Sequence, residues 1–433
     1  MNRTLIGMLS PPETPMSVRI CGWLASVRDT KKMLFLVIRD ESGTVQVSLF
    51  KPGNPQLAQK ILETPRESAV IVEGVLATNE HVKLRGMEIT PDSFEVVGLA
   101  ESPLPIDENS ALDMRLDWRY LDLRRPQMRL VFRLQTLIEH AMRDWWIRNG
   151  FTEMHSPKLM GAASEGGAEL FTLPYFGSTA SLAQSPQFFK QMAMASGWGR
   201  VFEIGPVFRA NSSHTVRHDT EFTSVDAEVS WIDSHENVMQ IEEEWLAYVL
   251  QIVRDELGAE ILETFGTQVV VPTLPFPRLT MEETLRILRD EMNHTPERDG
   301  DLDPQGERLI ARWVQQRYGH EFVFVTDWPA HTRAFYHMRD AQGRSKSFDL
   351  IWKGLEVTTG AQREHRLDVL TAQAVEKGID LESIEFYLNF FRYGMPPHGG
   401  FGFGLTRMLM LLTGLGNVRE VTYLYRGVTR LTP

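Results

Sequence analysis

The residues of this chain best suited to chemistry are gathered in FRANSSHTVRHDTEFTSVDAE, residues 208–228. Arg209, Arg217 and His218 supply cations or hydrogen-bond donors in a turn-rich stretch, and the flanking segments VFEIGPVF and FTSVDAE both read as strands. Two antiparallel strands joined by such a loop can hold a triphosphate between arginine forks. The same pattern also describes a solvated hairpin with surface ion pairs, so the segment needs company. A second candidate is GGFGFGLTR, residues 399–407. It is not GxGxxG, because Leu405 stands where the third glycine would fall, and no Gly-Lys dipeptide exists to make a Walker A loop. What remains is a glycine-rich turn between a strand and a helix, with Arg407 placed for a phosphate or purine contact. His235 begins HEN rather than HExxH, and the single cysteine, Cys21, excludes both a CxxC zinc site and an intramolecular disulfide framework.

These residues need elements to position them. The 433 residues fit two to three domains, and 42% hydrophobic and 24% charged residues are ordinary globular usage. A net charge of −12 argues against a protein that coats DNA, while leaving room for one basic face. No apolar run approaches about 18 residues, and MNRTLIGMLSPP has no signal-peptide core, so a soluble, cytoplasmic protein is expected. Residues 1–100 alternate with a period of two: Val18, Ile20, Gly22 and Leu24, then MLFLVIRD, TVQVSLF, SAVIVEGVL and VKLRGMEI. With the helical PQLAQKIL between strands, this suits a small closed β-barrel. An OB-fold is one such barrel; an SH3-like or sandwich domain is the alternative.

Residues 101–126 read as a hinge, proline-punctuated and then arginine-rich in RLDWRYLDLRRP. Residues 127–433 mix strands and helices. Leu130, Leu134, Leu137, Ala141 and Trp145 predict a helix closed by Gly150, and Val238, Ile241, Trp245, Val249 and Ile252 predict another over 235–257. A less regular stretch, about 259–330, is read as an insertion. FVFVTDW, SFDLIW and LEVTTG read as further strands.

At this point the segments resemble the three signature motifs of class II aminoacyl-tRNA synthetases. GFTEMHSPKL around Pro157 is similar to motif 1, FRANSSHTVRHDTEF to motif 2 and GFGFGLTRMLM to motif 3. RLDWRYLDLRRP, SEGGAELF, YFGSTASLAQSPQFFKQ, TTGAQREHRLDVL and FYLNFFRYGMPPHGGFG resemble, more narrowly, aspartyl-tRNA synthetases of the archaeal/eukaryotic type, which some bacteria carry as a second copy. The resemblance covers essentially the whole chain. It implies an α+β protein, an N-terminal OB-fold anticodon-binding barrel followed by a catalytic domain on an antiparallel sheet flanked by helices. It also implies a homodimer built through motif 1.

The resemblance further implies a two-step reaction. ATP and L-aspartate give aspartyl-adenylate and pyrophosphate, and the 3′-hydroxyl of the terminal adenosine of tRNA-Asp takes the aspartyl group. By the matching positions, Arg209 would fork the α-phosphate and the reacting carboxylate; Phe222 and Arg407 would sandwich adenine; Arg217 and His218 would meet the β- and γ-phosphates; Glu356 and Thr359 would hold Mg²⁺. Lys190 and Arg363 would select the β-carboxylate of aspartate, on the argument that asparagine would leave two buried cations uncompensated. Asp226 would orient them, and Glu165, Gln184 and Gln187 would line the pocket. In the barrel, Phe35 would stack an anticodon base, Gln46 would read its edge, Glu88 would add a contact and Arg28 would meet phosphate.

Some positions depart from the family pattern. Asn211 stands where motif 2 has glutamate, Thr406 where motif 3 has glutamate before its arginine, and Tyr425 where a proline is usual; Thr359 replaces a serine. Ala25 sits where tRNA-Asp-restricted archaeal members tend to have tryptophan, which leans towards charging tRNA-Asn as well. Two other readings follow from these departures: a paralogue making aspartyl-adenylate for a non-translational acceptor or as a resistance copy, and a tRNA-binding protein without catalysis.

Overall fold

The period-two runs of the first hundred residues fold as five strands, β1 (Met16–Asp29), β2 (Met33–Arg39), β3 (Thr44–Phe50), β4 (Ala69–Thr78) and β5 (Met87–Gly98). They close into a barrel in the order β1-β2-β3-β5-β4, with β3 and β5 running parallel. Helix α1 (Pro55–Glu63) joins β3 to β4, started by Pro55 and by the Asn54 side chain accepting from the Leu57 amide at 3.1 Å. The inward row is aliphatic, including Ile20, Leu24, Leu36, Val47, Val72 and Ile89, all fully buried. The computed structural model describes residues 3–161, 169–212 and 215–433.

The chain divides into two compact units, Met1–Arg129 and Leu130–Pro433. The first includes the arginine-rich segment as two short helices, α2 (Leu112–Asp117) and α3 (Arg119–Asp122), in which Asp122 is buried and paired with Arg115 at 2.8 Å and Arg119 at 2.7 Å. Helix α4 (Pro126–Arg148) begins at its end.

The second unit is organised on an eight-stranded sheet. Its strands, in chain order, are β6 (Thr152–Glu153), β10 (Arg200–Phe208), β11 (Glu221–Ser230), β12 (Arg278–Thr280), β13 (Phe322–Pro329), β14 (Arg344–Trp352), β15 (Leu355–Gln362) and β16 (His398–Gly404). The spatial order is β12-β13-β14-β15-β16-β11-β10-β6, antiparallel except at the two outermost pairs. A small sheet of β7 (Leu159–Met160), β8 (Thr172–Tyr175) and β9 (Ser178–Leu182) precedes helix α5 (Gln187–Ala195). Helices α6 (His235–Phe265), α7 (Met281–Asp290), α8 (Pro304–Tyr318), α9 (Leu367–Glu376), α10 (Glu385–Leu388), α11 (Leu405–Thr413) and α12 (Val418–Val421) complete it. Residues 259–330 thus hold the last turns of α6, the edge strand β12, α7, α8 and all of β13. Among the described residues no helix is long and apolar enough to cross a membrane.

The pleat separates chemistry from core. Ala227, Phe401, Gly360 and Phe348 fall in one cross-strand row, and Glu228, Gly400, Ala361 and Ser347 fall in the next. Successive side chains point to opposite faces, so the first row meets α4 and α6 while the second faces the other way, itself buried. On the packed side Trp146 stacks on Trp245 at 4.9 Å, and Trp245 meets Phe401 at 5.7 Å and Phe403 at 5.2 Å. The other side carries the polar set.

Candidate active site

Glycines form part of the floor on that second side. A Cβ on Gly400 would stand 2.1 Å from the Ala227 carbonyl oxygen and 2.2 Å from Glu228 Oε2, so only glycine lets the strand pass beneath the Glu228 carboxylate. The requirement is close approach rather than an unusual φ. Above this floor lies a cavity of about 350 Å³ lined by residues of β11, β15 and β16, the loop after β10, and the segment 332–337.

One end of the cavity is a buried network of opposite charges. Lys190 on α5 points its ammonium at Asp226 Oδ1 (2.8 Å), the Phe401 carbonyl (3.0 Å) and Glu228 Oε2 (3.4 Å). Arg363, just past β15, donates from Nε to Glu228 Oε1 at 3.0 Å and from Nη2 to the Gly400 carbonyl at 2.9 Å, with its guanidinium 5.5 Å from the Tyr336 ring. Ser224 donates to the other oxygen of Asp226 at 2.5 Å. Burial pushes the Glu228 carboxyl up, but Arg363 and Lys190 more than offset this and hold it below the usual range. Two cations therefore face two carboxylates, and the buried cations expected to be left uncompensated beside asparagine are already paired. Glu228 and Asp226 supply their counter-charge.

The other end carries the remaining cations. Arg209 lies 5.5 Å over the Phe222 ring, and Arg407, at the start of α11, donates to the Glu356 carbonyl at 2.7 Å, with the Glu356 carboxylate 3.6 Å away. Arg217 is paired with Glu307 of α8 at 3.0 and 3.2 Å. Burial lowers the His218 pKa, helped by Arg407, Arg217 and Arg209, so the ring is neutral at pH 7. Thr359 donates to Glu356 Oε1 at 3.2 Å, and Asp349, opposite Thr359 in the ladder, is clamped by Arg333 at 2.7 and 2.9 Å. Burial raises the Asp349 carboxyl to about 6, opposed by Arg333 and reinforced by the negative Glu356.

Arg209, Arg217, His218, Phe222, Glu356, Thr359, Arg407, Gln187, Lys190, Asp226 and Arg363 all line this one cavity, as do Asn211 and Thr406. Gln184 does not; it is buried two residues past β9 and reaches the site through its carbonyl, 3.5 Å from Arg209 Nε. Glu165 lies outside the described residues. Sequence reasoning missed Glu228, Glu307, Arg333, Tyr336, His337 and Asp349. The strand period would have found Glu228, two residues after Asp226. Glu307 carries no local signal, since it comes from a different part of the chain.

In the barrel unit, Phe35 stays out of the core, on the outer side of β2, with the Arg28 guanidinium 4.7 Å from its ring. Gln46 pairs with Glu88 across β3 and β5 and donates to Ser48 at 3.1 Å, while Asn79 and Ser48 both donate to Glu88. Arg28, Phe35, Gln46 and Glu88 lie on β1, β2, β3 and β5, consecutive neighbours in the barrel.

Residues 111–426 match the family of class II tRNA synthetases (D, K and N), and residues 18–97 match an OB-fold nucleic acid binding domain. The chain is 42% identical to an aspartate–tRNA(Asp) ligase of Pyrococcus abyssi, covering 96% of each protein. It is also 42% identical to an aspartate–tRNA(Asp/Asn) ligase of Methanopyrus kandleri, covering 98% of each. Among solved structures, asparaginyl-tRNA synthetase from Pyrococcus horikoshii with asparaginyl-adenylate superposes with a TM-score of 0.92 at 31% identity, over 100% of this chain and 99% of that one. With a matching catalytic region, a matching barrel and relatives similar along nearly their full length, this chain belongs to the class II aminoacyl-tRNA synthetases of the D, K and N group.

Proposed function

We propose that this chain activates L-aspartate with ATP and transfers the aspartyl group to the terminal adenosine of tRNA. The observation that carries the reading is that one cavity joins a buried Lys190–Arg363 pair to the cations Arg209, Arg217 and Arg407. A dicarboxylic amino acid fits one end and a nucleoside triphosphate the other. The α-carboxylate attacks the α-phosphorus and pyrophosphate leaves, so the protein need only position two anions and spread the charge that develops. Arg209 bridges the reacting carboxylate and α-phosphate, while Phe222 and Arg407 flank adenine. Arg217 and the neutral His218 meet the terminal phosphates, His218 by hydrogen bonding without added charge.

At the amino-acid end, the β-carboxylate takes over contacts from Asp226 or Glu228, and Gln187 borders the same space. Glu165 and Gln184 complete the set proposed to contact aspartate. Glu356 and Thr359 would hold Mg²⁺, with Asp349 behind them as a further oxygen donor. Among the described residues no group of three or more His, Cys, Asp or Glu forms an all-protein cage, which suits an ion that takes a few carboxylates plus substrate phosphates. When bound, it would supply charge neutralisation to the phosphates.

For the acceptor we propose tRNA-Asp, with tRNA-Asn as a second substrate. Relatives of both kinds are similar to this chain, and Ala25 lies in the irregular part of β1 between Leu24 and Ser26. Arg28, Phe35, Gln46 and Glu88 form the proposed anticodon surface. A homodimer is proposed through the motif 1 region around Pro157; exposed Ile147, Trp198 and Trp231 support it as apolar surface in need of cover.

The test is ATP–pyrophosphate exchange with aspartate, and asparagine as control. Exchange with aspartate alone is expected. No exchange from folded protein, with or without tRNA, would overturn activation and leave a tRNA-binding relative.

A further inference from the structure

Helix α8 brings a buried carboxylate into the nucleotide end of the site. The helix starts at Pro304, with Asp303 Oδ1 accepting from the Gly306 amide at 2.6 Å, which fixes Glu307 in the first turn. Its position on the sheet is set at the β14–β15 turn. Gly354 has φ +85°, and a Cβ there would lie 2.9 Å from the Arg308 Cα, so the turn that leads into Glu356 is pressed against α8. Glu307 Oε2 then accepts from the Glu356 amide at 3.0 Å and from Arg217 Nη1 at 3.0 Å, while Oε1 accepts from the same nitrogen at 3.2 Å.

One carboxylate therefore ties a cation of the motif 2 loop to the strand carrying Glu356 and Thr359. We propose that Glu307 is a positioning residue for nucleotide binding, holding Arg217 and Glu356 in register so that terminal phosphates and Mg²⁺ are met by a preset pair. This rests on the reading of Arg217 as a phosphate ligand and Glu356 as a metal ligand. Two physical effects compete. An anchored arginine loses less side-chain freedom when the triphosphate arrives, which tightens binding. The carboxylate also competes with phosphate for the same guanidinium, which weakens it. Bonds from one carboxylate to two parts of the site, in a buried setting where Arg217 would otherwise be free to turn away, make the anchoring effect the larger.

The experiment is aspartate-dependent ATP–pyrophosphate exchange by the full chain, with ATP, Mg²⁺ and aspartate varied in turn, for the parent protein, E307A, E307Q and R217A. E307A should raise KM for ATP about tenfold, the loss of a charge-assisted contact. The Mg²⁺ concentration at half-maximal rate should rise several-fold, and KM for aspartate should stay within about twofold, since the Lys190–Arg363 end is untouched. E307Q should fall between, because an amide oxygen still accepts from the Glu356 amide but cannot pair with Arg217 as an ion. A merely structural role would move KM for aspartate equally and show no rescue by glutamine. If E307A does not fold by thermal denaturation, E307Q carries the test with the same readouts. Unchanged or lowered KM for ATP in the glutamate variants, with R217A raising it, overturns the proposal and leaves the nucleotide reading intact. If R217A leaves KM for ATP unchanged, that reading fails and the proposal falls with it.

Discussion

Arg363 and Lys190 show where residue types alone stop. Their place in a pocket was expected only through the resemblance carried by QSPQFFK and GAQREHR, and their pairing was not legible even so. Glu228 is an acidic residue in a strand, and nothing in FTSVDAEVS says that its carboxylate lies over Gly400 and accepts from Arg363. The geometry sharpens what a substitution should do. Arg363→Lys keeps the charge and loses the planar fork that serves Glu228 and the Gly400 carbonyl together. A buried carboxylate is then left with weaker partners, at a cost of about 2–3 kcal/mol, or roughly a 100-fold fall in kcat/KM for aspartate. KM for ATP should change by less than about threefold, because sites without shared partners act nearly independently. Exchange kinetics at varied aspartate and ATP separate the two; equal losses for both substrates would mean that the variant has disturbed the whole sheet.

Among the elements, strands were more legible than the faces of the long helices. Alternation located β2, β3 and β4 because each barrel strand has one buried side. Helix α6 was expected over 235–257 and runs to Phe265, ending at Gly266 in the left-handed conformation. Val238, Trp245 and Val249 are buried as the spacing predicts, yet Ile241 and Ile252 are only half-buried, while Glu242 and Glu243 are buried in their place. A 31-residue helix packs against several neighbours, so no one stripe describes it. Glu243 is satisfied by Arg278 and the Phe276 amide. Among the described residues Glu242 has only the Thr358 hydroxyl, on one oxygen, and burial pushes its pKa to about 8. Below about pH 4.5 the group is protonated whether folded or not. As pH rises towards 8 the unfolded chain ionises while the folded one keeps its proton, so stability falls across that window. Glu242→Gln removes this loss, and should gain about 1–3 kcal/mol at pH 8 relative to the parent while gaining little near pH 4.5. Urea unfolding at the two pH values measures it. A gain independent of pH would show that Glu242 is charged in the fold and that the Thr358 contact is not its main support.

On the scale of the whole molecule, two units with separate cores fit the division of labour proposed above, with amino-acid activation assigned to residues of Leu130–Pro433 and tRNA choice drawing also on Met1–Arg129. The barrel's function was the less legible from pattern, because a phenylalanine inside MLFLVI reads as core. The register puts Leu34, Leu36 and Ile38 inward and leaves Phe35 outward beside Arg28, an aromatic face next to a cation, which is how single-stranded bases are commonly held. Phe35→Ala removes that face without opening the core. Stacking on an aromatic is worth about 1–3 kcal/mol per base, so kcat/KM for tRNA should fall roughly 10- to 100-fold. Aspartate-dependent exchange, which needs no anticodon, should stay within about twofold of the parent rate. Aminoacylation of tRNA-Asp and tRNA-Asn transcripts measures the first quantity and pyrophosphate exchange the second, on the same protein sample. Equal fractional losses for the two tRNAs would make Phe35 a platform common to both and move the choice between them to other positions, the Ala25 irregularity first among them. A loss in exchange as large as the loss in aminoacylation would instead mean that the activation chemistry depends on an intact barrel, and that the two units do not work independently.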